Sequence, residues 1–295
     1  MQDSIGDRFK DYENRTRYML PRRCYTICRI DGKAFHSFTK HMERPFDESF
    51  MKMMNDTAVY LCKNIQGAQF AYVQSDEISI LLTDFEKPTT CAWFDNNVQK
   101  MASISASMAT REFNRSLMEY RYVAAKTDKE RLIDYCALHA DCISLAEFDS
   151  RVFTLSDIYE VENYLVFRQK DATRNAITAV AQSLYSHKEL HGKSSSEKQE
   201  MIFQKGQNFN EYPAGCKRGR FIKKEQEKVD IPIRGRTKLA VMLDDKAYFE
   251  KDVIRNKWVV VEPPIFTQDR KFLRNLIPVI PQFEEIEEDK NEKSI

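Results

Sequence analysis

The sequence predicts an α+β fold: a split βαβ, ferredoxin-like antiparallel sheet with helices packed on it, followed by helical and basic C-terminal additions. Three observations predict it. Strand-like and helix-like stretches alternate in the order β-α-β-β-α-β over residues 24–149. The stretch "AYVQSDEISILL", residues 71–82, sets two apolar runs on either side of a short polar bend. A helical pattern of about thirty residues then follows from Ser156.

The elements follow in chain order. Residues 3–19 read as a polar helix, with Ile5, Phe9, Tyr12 and Tyr18 as a sparse apolar stripe. "CYTICRI" is rich in β-branched and aromatic residues and reads as a buried strand ending at Asp31-Gly32. "RPFDESFMKMMNDTAVYLC" predicts a helix capped by Asp47, with Phe50, Met54, Ala58 and Leu61 at helical spacing. Gly67 closes that region, and the hairpin of residues 71–82 follows. A second helix fits residues 95–117, where Val98, Met101, Ile104, Met108 and Phe113 share a face. "DCISLAEFD" predicts a fourth strand. After the long helix, Ser194 and Glu197 form a capping box. Residues 206–238 are basic and dotted with glycine, and "KLAVMLDD" and "KWVVVEPPIF" predict a further pair of strands. The division expected is residues 1–240 as the catalytic region and 241–295 as a C-terminal extension. Its acidic tail after Phe283 lacks the apolar residues that order requires.

The bulk composition excludes several classes. With 42% hydrophobic and 31% charged residues, the chain reads as soluble and globular. The net charge of +1 hides an asymmetry: the last twelve residues carry net −4, leaving +5 on the rest. Seven cysteines without a C-x-x-C pair read as reduced thiols, and the location expected is cytoplasmic. No apolar run reaches the length of a membrane span, and no signal peptide opens the chain.

The bend between the hairpin strands carries Ser75, Asp76 and Glu77 where tight hairpins favour Asn-Gly or Asp-Gly. In a split βαβ sheet, the end of the first strand and this bend fall at the same edge. Asp31 and Asp76 then face each other across a small gap. Two carboxylates in that arrangement suit hard divalent cations and phosphoryl transfer. Gly32, lacking a Cβ, lets its backbone approach a phosphate or a metal.

Two motifs carry a family resemblance. Arg29, Asp31, Gly32, Phe35, His36 and Phe38 in "CRIDGKAFHSF", then Gln74, Ser75, Asp76 and Glu77, resemble the signature of the tRNA guanylyltransferase family. "FDSRVF" and "FRQKDATRN" extend the likeness, which covers about residues 5–225. The resemblance implies a palm-like catalytic domain and a polymerase that adds nucleotides to the 5′ end of tRNA in the 3′-to-5′ direction. It implies two Mg²⁺ ions held by Asp31, Asp76 and the Gly32 carbonyl, with Glu77 as a supporting acid. It implies a nucleotide site at Lys33, Ala34, Phe35 and His36, chiefly through backbone N–H groups, with Ser75, Arg44 and Asp47 close by. ATP, GTP or other NTPs serve as substrates, and ATP or GTP activates the 5′ end. Arg151 is implied as a tRNA contact, and a homotetramer is implied as the assembly. Thr173 stands where members specific for histidine tRNA carry histidine. That departure places the chain nearer the branch that resembles a template-directed 5′-end repair polymerase.

Within "CKRGRFIKK", Lys217, Arg218 and Arg220 read equally as solvated surface or as tRNA phosphate contacts, with Arg234 and Arg236 extending the surface. "HGKSS" lacks the first glycine of a P-loop, and "HKELH" lacks the glutamate of a zinc peptidase. Two other functions stay open: a palm-type nucleotide cyclase, and a tRNA-binding protein without chemistry.

Overall fold

The protein is described here by a computed structural model covering residues 4–127, 145–232 and 249–281. Helix α1 (Ile5–Asn14) starts at the Ser4 cap and is shorter than the 3–19 pattern. Strand β1 (Tyr25–Gly32) leads through a short helix, α2 (Phe35–Phe38), to α3 (Glu48–Asn64). Asp47 caps α3 as expected, accepting a hydrogen bond from the Phe50 N–H at 2.8 Å. Strands β2 (Ala68–Gln74) and β3 (Glu77–Leu82) form the hairpin, and α4 (Val98–Thr127) and β4 (Phe148–Leu155) complete the β-α-β-β-α-β order.

The strands lie in one six-stranded antiparallel sheet in the order β4-β1-β3-β2-β5-β6. The first four positions are the expected split βαβ arrangement. On one face, Cys28, Ile30, Val73, Ile78 and Ile80 pack under Met54 and Leu61 of α3 and Met101 and Phe113 of α4. On the other face, Tyr25, Ile27, Phe70, Tyr72 and Leu81 pack against α5 (Ile158–Leu184), which contributes Val161 and Leu165. With both faces covered, every residue of β3 is buried. The apolar run Ile80-Leu81-Leu82 follows from this double cover, and the buried polar residues Glu77 and Ser79 are held by hydrogen bonds.

Three helices follow α5: α6 (His187–Leu190), α7 (Ser195–Gln204) and α8 (Ala214–Arg218). Ser194 caps α7 in the expected box with Glu197. The basic region then departs from the expectation of a glycine-dotted segment. Arg220 begins β5 (Arg220–Pro232), which joins the sheet through Tyr72↔Phe221 and then pairs with β6 (Phe249–Val261). Backbone pairing sets the strand here, and alternating charged residues along a two-stranded ribbon conceal it in the sequence. β6 thus pairs with β5, and "KLAVMLDD" lies outside the described residues, as do Arg234, Arg236 and the acidic tail. Of the fourth strand expected at "DCISLAEFD", residues 141–144 lie outside the described residues. Residues 145–147 are coil, and pairing with β1 runs from Phe148 to Leu155.

The boundary expected at residue 240 also falls outside the described residues. Beyond it, Phe266, Leu273 on α9 (Arg270–Arg274), and Ile277 join the α5-side core. Glu162, fully buried on α5, ties Arg274 at 2.6 Å and Arg270 at 3.3 Å to that core.

Phe113 meets Phe35, Phe38, Phe50 and Phe148 in one aromatic cluster under the β1 end. Phe113→Ala leaves a cavity there and is expected to cost about 3–5 kcal/mol, measured by urea unfolding. A cost under about 1 kcal/mol would contradict this packing.

Candidate active site

The register of β1 on β3 sets Asp31 opposite Glu77. One residue on, the Gly32 N–H donates to the Asp76 carbonyl at 3.2 Å. The end of β1 is thereby held against the β2–β3 turn. That turn has two residues, Ser75 and Asp76, between the paired Gln74 and Glu77. Ser75 takes φ +46°, a left-handed conformation that tight hairpins usually give to glycine or asparagine. Asp76 is half-buried, and burial first, then the charge of Asp31, raises its pKa. The two carboxylates repel each other, and Arg29, 3.2 Å from Asp31, offsets part of that repulsion.

These acids stand at one end of a cleft of about 540 Å³. Ala34, Phe35, His36 and residues 44–47 line it on the α2–α3 side. Ala172, Asn175 and Ala176 of α5 face them, and Gly215, Gly219 and Arg220 close the far side. Asp47 fixes the loop before α3 by accepting hydrogen bonds from both the Glu43 and Phe50 N–H groups. Ala34 is left-handed at φ +55° and starts α2, whose first N–H groups have no acceptor within the helix. Gly32 is required by packing: a Cβ there would lie 2.2 Å from the Phe35 ring.

Of the expected nucleotide residues, Ala34, Phe35, His36, Arg44, Asp47 and Ser75 border this cleft. Lys33 does not border it. Its N–H donates to the Glu147 carbonyl at 2.8 Å, and its Nζ pairs with the Glu147 carboxylate at 2.5 Å. Both groups are therefore committed to the loop before β4.

The donors at the acidic end are all oxygen. Among the described residues no group of three or more His, Cys, Asp and Glu side chains gathers as a metal cluster. Mg²⁺ is commonly held by one or two carboxylates, with phosphates and water completing its shell. Two repelling carboxylates fit that ion.

The family model described as tRNAHis guanylyltransferase matches residues 6–156. The chain belongs to this family. The tRNA(His) guanylyltransferase of Saccharomyces cerevisiae is 31% identical over 231 residues, covering 73% of this chain and 88% of the relative. A bacterial tRNA(His) guanylyltransferase-like protein, solved in complex with ATP, is 36% identical with a TM-score of 0.72. That match covers 94% of this chain and all of the other. A second structure of such a bacterial protein, in complex with GTP, is 37% identical with a TM-score of 0.70, covering 93% and 99% of the two chains. Like its family, the chain is a nucleotidyltransferase.

In this guanylyltransferase-family chain, Glu77 does not border the cleft. It is buried, and its carboxylate is held by Arg168 of α5, through Nε at 2.7 Å and through Nη2, and by Arg29 Nε at 2.8 Å. It acts as a clasp between the sheet and α5, behind Asp31 and Asp76 and not on the wall of the cleft. Arg168 was not singled out in the sequence. Its signal is the R-x-x-D spacing to Asp171, one helical turn on and 3.3 Å away. Arg151 stands opposite Arg29 on β4, exposed and 3.4 Å from Asp149. Lys217 donates to the Asn210 carbonyl, and Arg218 to the Pro263 carbonyl. Arg220 departs from a surface reading, because its side chain is buried and bonds to Asn55.

Arg168→Met removes one partner of a buried ion pair and is expected to cost about 3–5 kcal/mol. Urea unfolding of Arg168→Met beside Arg168→Met/Glu77→Gln checks it: the double variant recovers part of the loss if the clasp is the cause.

Proposed function

We propose that this chain adds nucleotides to the 5′ end of tRNA in the 3′-to-5′ direction, copying the opposite strand of the acceptor stem to restore missing residues. The observation that carries this reading is the pairing of Asp31 with Asp76 at one end of a nucleotide-sized cleft. Family membership and bacterial neighbours in complex with ATP and with GTP support it. Thr173, in place of the histidine of tRNA(His)-specific members, supports the repair branch. Its hydroxyl is turned onto its own helix, at 3.0 Å from the Gln169 carbonyl.

In this reading ATP or GTP first activates the 5′ phosphate, releasing pyrophosphate. The 3′-hydroxyl of an incoming NTP then attacks that phosphorus, and the nucleoside monophosphate leaves. Asp31, Asp76 and the Gly32 carbonyl would hold two Mg²⁺ ions, which supply charge neutralisation and a more acidic hydroxyl when bound. The protein's own groups do the positioning. Backbone N–H groups of Ala34, Phe35 and His36 receive the phosphates. Arg44 adds a charge from the loop that Asp47 braces, and Ser75 sits at the mouth. Arg151, Lys217 and Arg218 hold the tRNA strand outside the cleft. A cytoplasmic homotetramer is the working form in this reading.

Asp76→Ala is expected to abolish addition while leaving tRNA affinity within about threefold, since the phosphate contacts that dominate RNA affinity lie elsewhere. The assay uses Mg²⁺, ATP, NTPs and a tRNA lacking its first nucleotide, and reads growth at the 5′ terminus. Full activity in Asp76→Ala would sink the metal assignment. A cyclic nucleotide formed without RNA would identify a cyclase, and RNA binding without growth would identify a binder.

A further inference from the structure

Arg220 opens β5 opposite Val73, on the sheet face that α3 covers. Its side chain is buried, with 6% of the residue exposed, yet it borders the same cleft as Asp31 and Asp76. Nε donates to Asn55 Oδ1 at 2.8 Å, and Nη1 reaches the Gly215 carbonyl at 3.4 Å. Nη2 has no hydrogen-bond partner among the described residues. Both acceptors are neutral, and no carboxylate among the described residues forms an ion pair with it. Arg168 shows the contrast: equally buried, it is held by Glu77 and Asp171. Burial lowers the Arg220 pKa to about 10, which leaves the group charged at neutral pH.

A desolvated guanidinium without a counter-charge is costly to the folded state, and an anion offsets that cost where a neutral base does not. β1, β3, β2 and β5 are successive strands, so three spacings put Arg220 roughly 14 Å across the sheet from Asp31. The two groups therefore flank opposite sides of one cleft. We propose that Arg220 is the receptor for a phosphate group that enters this cleft, supplying the counter-charge the free protein lacks. The assignment rests on the nucleotide reading of the cleft. The phosphate comes either from the triphosphate tail of the incoming nucleotide or from the 5′ terminus of the RNA.

The test compares wild type, Arg220→Met and Arg220→Lys in equilibrium binding and in thermal unfolding. The probes are inorganic tripolyphosphate, GTP, and one RNA hairpin carrying either a 5′ phosphate or a 5′ hydroxyl. Arg220→Met is expected to raise the Tm of the free protein, because a buried unpaired charge is gone. It is also expected to weaken one phosphate arm at least tenfold, with Arg220→Lys in between. Loss of tripolyphosphate and GTP binding assigns the nucleotide tail. Loss of the preference for the phosphorylated hairpin assigns the RNA terminus. Binding of every probe within twofold of wild type overturns the proposal. So does a lower Tm with all arms weakened alike, which marks a structural role. Weaker GTP binding with tripolyphosphate unchanged overturns it in favour of a base contact. If wild type binds none of the probes, the nucleotide reading of the cleft falls first, and the Arg220 assignment with it.

Discussion

Backbone register holds Asp31 beside Asp76, whose pKa is raised first by burial and then by the Asp31 charge. β1 pairs with β3 so that Asp31 stands beside the first residue after the turn, and the Gly32 N–H clamps the turn carbonyl. The two backbones cannot separate without breaking that pairing. The sheet thus stores like charge at one edge, an arrangement suited to a hard cation. The rest of the molecule serves this edge: α3 and α4 support one face, α5 the other, and the loop braced by Asp47 closes the cleft.

Two buried arginines show how differently the fold handles charge. Arg168 is satisfied inside the protein and ties α5 to the strand that follows the Ser75-Asp76 turn. That contact lets a helix nearly a hundred residues away in sequence line the cleft through Ala172, Asn175 and Ala176. Arg220 pairs with no carboxylate among the described residues, so in the proposal above its cost to stability is met when a ligand arrives. The first arrangement gives rigidity, and the second gives a site that is completed by what it binds.

Much of the carboxylate edge was legible in the sequence because its signals are local. The end of β1 at Asp31-Gly32, the two-residue turn, the Asp47 cap and the Ser194 box are each written within a few residues. The commitments of side chains were not. Lys33 looks like part of the nucleotide loop until Glu147 takes both its backbone and its charge. Glu77 looks like a third acid until two guanidiniums, one 91 residues away, surround it. The β5–β6 ribbon hides behind mixed charge because it is held by backbone pairs rather than by an apolar stripe. Arg220 sits in a basic run that reads as solvated surface. Only the packing of α3 and Gly215 against it shows that its hydrogen-bond acceptors are neutral.

The claim on which the account turns is that Asp31 and Asp76 share bound metal. Diffraction from a crystal grown with Mn²⁺ and GTP, with data collected at the manganese edge, tests it directly. The account predicts anomalous density within coordination distance of both carboxylates and of the Gly32 carbonyl, with triphosphate oxygens completing the shell. Manganese bound elsewhere, with the two aspartates turned into separate surroundings, would contradict it.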